Sequence, residues 1–514
     1  MPPVLNYPGV YIEELPSAVH TITGVATSIG AFVGWAARGP VDEAALIFSF
    51  ADFQTQFGGL DSRSLLGYSV NHFFANGGQQ AYVIRLTDGT ATRAKKTIQG
   101  VTFEAKNPGQ WGGKLTVSVT PRLPVMVGKF SVLVNFPGPA GQLQPVENFV
   151  NLSSDSSDPR YVLTVINADS QYLNVTGVTG SVGAAESETL DPAIDGTVLN
   201  PGDGNFENAM NLSLALSPAT PPPGTPGLPL LNRVDIFNLL CVPGETVATT
   251  VQGLSQYCWD KRAMYIVDSP EDATVSNMVT DGPVGTTTPA TTLVPMAGAE
   301  HPENAAYYFP WVQAPDPLFG NRPKFFPPCG FVAGIYAATD ASRGVWKAPA
   351  GIETGLTGVN GLETVLTDPE NGAINVKAVN CLRQFKTFGN VVWGARTMQG
   401  ADDFGSQWKY VPIRRTALYI ESSLYNGTKW VVFEPNDETL WGQIRLNVGA
   451  FMQGLFLQGA FQGTTPQQAY FVKCDAENNP QPSIDLGIVN ILVGFAPLYP
   501  AEFVVIQIQQ MAGQ

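Results

Sequence analysis

Near Ala91 the chain changes texture, and that change limits what it can fold into. Before it, "TGVATSIGAFVGWAARGP" is a small-residue strand running into a turn at Gly39-Pro40. "SFADFQTQFGG" and "SLLGYSVNHFFANGG" then read as helices, each stopping at a glycine pair as helix C-termini commonly do. "QAYVIRLTDG" returns as a buried strand, which completes an α/β order of elements. After it come "KLTVSVT", "KFSVLVNF", "RYVLTVIN" and "QYLNVTGV", short alternating segments parted by Gly, Pro, Asn and Ser turns. Such a run is the pattern of a small all-β module. It closes on "SPATPPPGTPGLP" (217–229), too rich in proline and glycine for regular structure. "VDIFNLLCVPG", "TTVQGLSQYCWDKR" and "AMYIVDSP" then resume strand, helix, strand. The expected fold class is α/β (α+β) multidomain: an α/β core built from N- and C-terminal parts, interrupted by a β-rich insertion.

The chain of 514 residues has room for two to four such domains. Only 14% of it is charged, against about 25% in an average domain. So few charges leave much of the surface unsolvated unless other chains cover it. A net charge of −15 argues against a phosphate backbone as the main partner. No positive residue precedes Arg38, so no signal peptide is expected, and no run of 18 apolar residues exists to span a membrane. Cys241, Cys258, Cys329, Cys381 and Cys474 are odd in number and scattered, which suits reduced, packed thiols.

No catalytic constellation assembles. His20, His72 and His301 have no metal-ligand spacing, and no CxxC occurs. "NPGQWGGKLT" fails as a phosphate loop because Pro108 stands where the first glycine is needed. Asp268 in "YIVDSP" and Asp340 in "AATDASRG" sit where α/β enzymes place acids, and equally where Asp caps a turn or helix. "ASRGVWKAPAG" gathers Arg343, Trp346 and Lys347 as either a docking loop or a tryptophan plug for its own core. Leu440, Ile444, Val448, Phe451 and Leu455 form one apolar helical stripe, on a helix whose Gly442, Gly449 and Gly454 suggest close approach of another backbone.

"NYPGVYIEELPS" (6–17) is an alternating strand fenced by Pro8 and Pro16, with no hairpin partner following it. The last apolar run, "AEFVVIQIQ", reads as another strand, with Val504, Ile506 and Ile508 on one face. Between them, residues 374–415 are locally basic, with Lys377, Arg383, Lys386, Arg396, Lys409, Arg414 and Arg415 against Asp402 and Asp403. A helix is expected from about Val376 to Phe388, burying Val379, Leu382 and Phe385 and turning Arg383 and Lys386 outward.

The stretches "YPGVYIEELPS", "GAFVGWAARGP", "AYYFPWVQAPDP", "PPCGFVAGIYAATDASRGVWKAPAG", "FGNVVWGARTM" and "AEFVVIQIQQ" together resemble the tail sheath family of contractile phages, pyocin-like particles and extracellular contractile injection systems. The resemblance runs from residue 7 to 510 and is loosest over 101–231 and 281–298. It implies hexameric rings stacked round an inner tube, built in a stretched state that shortens on a baseplate trigger. It also implies terminal arms that add strands to sheets of neighbouring subunits. Val10, Tyr11 and Ile12, and Phe503, Val504, Ile506 and Ile508, would then pair with other copies. Arg383 and Lys386 would help grip an acidic tube. The implied partners are the chain itself, the inner tube protein, and baseplate and terminator or cap proteins. Nucleic acid, membrane insertion, cofactor and enzymatic activity are not expected. Assembly would take place in a bacterial or host cytoplasm, within a phage tail or an injection particle.

The implied division is a donated arm over 1–22, an α/β middle domain from 23–100 with 232–373, an outer β-rich insertion over 101–231, and a C-terminal sheath domain over 374–514. From the residues alone, an α/β hydrolase-like enzyme with a β-rich accessory module and an adhesion module stay open as alternatives.

Overall fold

The structure is a computed structural model that describes residues 20–122, 126, 128–138, 141–280 and 300–507. The described chain divides into two compact units, one of residues 27–342 and 348–411, the other of residues 20–26, 343–347 and 412–507.

An eight-stranded sheet organises the larger unit. Its strands are β1 (Gly30–Trp35), β2 (Ala45–Ile47), β3 (Ala81–Leu86), β4 (Leu239–Cys241), β5 (Met264–Asp268), β6 (Ala305–Phe309), β7 (Val379–Phe385) and β8 (Gly389–Val392). They lie in the order β8-β7-β6-β5-β4-β1-β3-β2. All pairings are parallel except the two edges, β7 with β8 and β3 with β2. The run β3-β1-β4-β5-β6 has the flavodoxin-like 2-1-3-4-5 order, which reverses direction between β1 and β4.

Parallel strands need both faces covered, and these are. Ala31, Val33, Leu240, Tyr265 and Tyr307 enter one core; Phe32, Leu239, Ile266 and Tyr308 enter the other. Helices α1 (Phe50–Phe57) and α2 (Leu66–Ala75) cover the second face, and α3 (Ala248–Asp260) covers the first. Helix α1 is capped as its sequence suggests: the Ser49 side chain accepts from the Asp52 N–H, and Gly58 closes the helix at φ 88°. Helix α4 (Cys329–Arg343) crosses α2 at close range. A Cβ on Gly330 would stand 2.4 Å from the Ser69 carbonyl oxygen, and one on Gly334 would stand 2.7 Å from that of Phe73. Only glycine permits this approach.

Between β3 and β4 the chain forms two further antiparallel sheets. A four-stranded antiparallel sheet orders Glu186–Thr189, Thr116–Pro121, Lys129–Pro137 and Leu143–Ser153. A three-stranded one orders Lys95–Ile98, Val101–Ala105 and Leu173–Val178. Their shared core runs from Ala94 to Ala193. Leu199, Phe206, Met210, Leu228 and Leu231, assigned by sequence to the insertion, instead enter the core of the large sheet. The linker ends in a buried 3₁₀ turn at Leu228–Arg233. "RYVLTVIN" also departs from expectation: Val162–Asp169 is a helix, with Val162, Val165 and Ile166 packed inside the insertion.

The region after residue 374 is corrected more sharply. Val379–Phe385 is strand β7, not a helix. Val379 and Cys381 face one core and Leu382 the other, so burial on both faces mimicked a helical spacing. Gly389, expected to end a helix, lies at φ 73° where a three-residue hairpin turns β7 into β8. Residues 374–411 thus complete the large sheet, and the second unit begins near residue 412.

Candidate assembly interface

The smaller unit rests on two helices, α5 (Val411–Gly427) and α6 (Glu438–Leu457). Asp437 caps α6 by accepting from the Leu440 N–H at 3.0 Å. The expected stripe is its packed face: Leu440, Ile444, Val448 and Leu455 are buried with Met452, and Phe451 is partly so. Gly449 and Gly454 meet nothing within 4 Å where a Cβ would stand, so the expected close backbone approach is not made within the described residues.

On α6 lies an antiparallel pair of strands, β9 (Tyr470–Lys473) and β10 (Leu492–Phe495). Tyr470, Val472, Val493 and Phe495 pack down onto the helix cluster. Phe471 faces out at 52% exposure and folds over its cross-strand partner Gly494, where a Cβ would stand 2.2 Å from the ring. Beyond β10 the chain gains one short bridge, with the Gln462 N–H donating to the Ala496 carbonyl at 3.0 Å. Among the described residues no further strand joins this pair. A two-stranded sheet with open edges is marginal alone and is a ready template for strand addition.

Both ends of the chain lead to this unit. The His20 N–H donates to Asn447 Oδ1 at 3.1 Å, and its ring stacks on Trp430 at 4.2 Å. Ile22 is buried in the α5–α6 cluster against Gly427, and the Val25 N–H donates to Ser423 Oγ at 3.2 Å. No local pattern signals these contacts, which join residues some 400 positions apart. Residues 20–22 are thus seated on the C-terminal unit, and so are 23–26, which the sequence reading placed in the middle domain. Val10, Tyr11 and Ile12 lie outside the described residues, as does Ile508. Phe503, Val504, Val505 and Ile506 are described and are 74%, 81%, 82% and 79% exposed, with no strand pairing. They make a run of four consecutive bare apolar side chains.

The basic segment is not a free cationic surface. Arg383 is buried, its guanidinium donating to Asp368 Oδ1 at 2.6 Å and to the Leu366 carbonyl at 3.0 Å. Buried Arg396 and Lys409 both meet Asp402, whose carboxyl is held below its usual range by Lys409 first and Arg396 after it. Arg414 pairs with Glu421. Lys386 does stand exposed, on the β7–β8 hairpin. The segment's charges mostly fasten its own loops, and Arg383, expected to face outward, is buried. Arg383→Glu is expected to lower thermal stability by about 3 kcal/mol, because it buries an unpaired carboxylate beside Asp368. A melting temperature equal to the wild type would restore Arg383 to the surface.

His72, Asp268 and Trp346 occupy packed or capping positions. His72 stacks on Phe331 at 3.9 Å, and burial pushes its pKa down to about 3. Asp268 accepts from the Gly244 and Cys329 N–H groups and thereby caps α4; burial raises its pKa to about 6. The neighbouring Cys329 thiol is pushed well up by burial, the reverse of a nucleophile. Trp346 plugs the core of its own unit, its ring folded against Gly344. All five cysteines are buried and free. No helix among the described residues is long and apolar enough to cross a membrane.

Two family models match the chain: "Phage tail sheath protein central domain" over residues 234–398 and "Phage tail sheath C-terminal domain" over 403–511. A tail sheath protein of Vibrio phage KVP40 is 27% identical over 169 residues, which is 32% of this chain and 24% of the phage protein. A prophage major tail sheath protein of Pseudomonas aeruginosa (strain UCBPP-PA14) is 27% identical over 285 residues, 53% of this chain and 66% of that one. The chain thus aligns with less than two thirds of each relative's length. Among solved structures, the sheath of the PVC extracellular contractile injection system in its contracted state superposes with a TM-score of 0.58 at 23% identity, covering 99% of this chain and 98% of that one. The sheath tail protein of Listeria innocua gives a TM-score of 0.61 at 14% identity, covering 93% and 97%.

Proposed function

The chain belongs to the contractile tail sheath family, and from that premise we propose that its copies polymerise into a sheath around an inner tube and shorten to drive that tube through a target envelope. The observation that carries this reading is the open β9–β10 pair together with the bare apolar run Phe503–Ile506. Arms from neighbouring copies complete the sheet at both edges. Each main-chain hydrogen bond so formed contributes about 1 kcal/mol net, and such flexible links persist while the rigid units turn past one another. Contraction is then downhill from a state trapped at assembly and needs no catalysis by this chain. The partners are further copies, the inner tube, the baseplate and a terminator. The β-rich module faces outward, because its core closes on itself and needs no cover from a neighbour.

Electron microscopy of the purified chain tests this. Tubular or cogwheel-shaped assemblies are expected, with the module as external knobs. A monomer by light scattering at every concentration, or a module density lining the lumen, overturns the corresponding part.

A further inference from the structure

The loop after β4, residues 242–247, lies at the carboxyl end of the parallel strands, beside the reversal of strand order. It is covered by the segment that brings the chain back to the large sheet from the β-rich module, whose core ends at Ala193. A Cβ on Gly244 would stand 3.0 Å from Leu65 Cδ1 and 4.0 Å from Pro201 Cγ. Phe206 and Met210, on the short helix Asn205–Met210, enter the same core as Val242.

Two carboxyls meet in this contact. Glu245 is wholly buried, and the Glu207 carboxyl of the short helix lies within hydrogen-bonding reach of it. One oxygen of each has a backbone donor: Glu245 Oε1 accepts from the Val247 N–H at 2.7 Å, and Glu207 Oε1 accepts from the Gly202 N–H at 2.6 Å. The other oxygen of each, Oε2, is buried and has no donor from any third group. Neither carboxyl pairs with a lysine, arginine or histidine among the described residues. The ionisable groups around them are engaged elsewhere or neutral. Asp268, at the end of β5, accepts from the Gly244 and Cys329 N–H groups, and Asp203 accepts from those of Asn200 and Phe206. Arg63, two residues before Leu65, is held by Asp61 and Asp195. The Tyr265 hydroxyl of β5 is buried, which pushes its pKa well up and keeps it neutral. Two carboxyl oxygens brought together in a buried site without a cation repel unless one of them carries a proton.

We propose that Glu207 and Glu245 share one proton, and that this proton latches segment 199–210 over the end of β4, so that alkaline solution opens the segment before the sheet unfolds. Opening takes Phe206 and Met210 out of the core and loosens the return connection of the β-rich module, while the strand ladder stays paired. Burial first, and the Glu207 carboxyl after it, raise the pKa of Glu245 from 4.5 to about 8, as a proton held between two carboxyls requires. In the open form both carboxyls meet water and titrate in the ordinary range. The closed form therefore keeps a proton that the open form releases. Between those two pH values each unit of rising pH favours opening by about tenfold, and beyond the upper one the effect levels off.

Hydrogen exchange of the full chain, read by mass spectrometry at pH 6, 7 and 8 and corrected for the intrinsic rate, tests this. Peptides over 199–212 are expected to lose protection by about tenfold per pH unit, while peptides over β1 and β5 stay better protected at every pH. In Glu245→Gln, which cannot ionise, the protection of 199–212 should not change with pH. In Glu207→Gln the side-chain amide donates where the proton sat, so the loss of protection should be complete at a lower pH than in the wild type. A pH-independent protection of 199–212 in the wild type overturns the latch, and protection equal to that of β1 and β5 makes the opening global and overturns it too. A Glu207→Gln profile identical to the wild type would leave Glu245 titrating alone and overturn the sharing. Should Glu245→Gln fail to fold, the wild-type and Glu207→Gln profiles still decide.

Discussion

Removal of residues 1–16 leaves a folded, soluble chain that forms no sheath. Every core among the described residues is assembled from Ile22 onward. The seat of the arm, at His20, Ile22 and Val25, stays in place on α5 and α6. What is lost is the strand that would complete a neighbour's β9–β10 pair. A strand of four or five residues forms roughly five main-chain hydrogen bonds, about 5 kcal/mol for each subunit contact. That loss, repeated at every contact, prevents polymerisation. Truncation after Glu502, which removes the exposed run at the other end, is expected to do the same. Circular dichroism and negative-stain microscopy together read the outcome. Intact sheaths from either truncated chain would remove the arms from the mesh, and loss of the circular dichroism signal would make them part of their own subunit's core.

Glu245→Gln stabilises the protein in alkaline solution and leaves it nearly unchanged in acid. Glu245 follows β4 and is fully buried. One of its carboxyl oxygens accepts from the Val247 N–H at 2.7 Å, and the other is buried with no partner. Burial, with the Glu207 carboxyl adding to it, raises its pKa from 4.5 to about 8. The folded chain therefore holds a proton that the unfolded chain releases above pH 4.5. Stability falls as pH rises between those two values and levels off beyond the upper one. The interval corresponds to about 5 kcal/mol. Glutamine keeps the acceptor for Val247, adds a donor for Glu207 and cannot ionise. Urea unfolding at pH 5 and pH 9 separates the effects, since other titrating groups cancel between the two proteins. A wild-type and variant difference that does not grow with pH would show that the Glu245 pKa is not raised.

The sequence by itself determined the elements whose signals are local. The small-residue strand in "GAFVGWAARGP", the glycine stop of α1 and the Leu440–Leu455 stripe of α6 each follow from composition, spacing or one backbone preference. They hold whatever the rest of the chain does. The family was legible for the same reason, as long motifs surviving in order. The tertiary structure decided everything that depends on which surfaces meet. β7 was misread because burial on both faces erases the period-two signal that marks a half-exposed strand. The basic segment was misread because charge in sequence does not reveal its partner: Asp368 and Asp402 turn a surface excess into internal ties. The insertion's far boundary was misplaced because apolar side chains such as Phe206 and Leu231 suit either core, and only the large sheet's uncovered face selects between them. The seat of the N-terminal arm rests on hydrogen bonds and packing across some 400 residues, for which no local pattern exists. Spacing along a chain encodes a face; which other face covers it is settled only when both are in place.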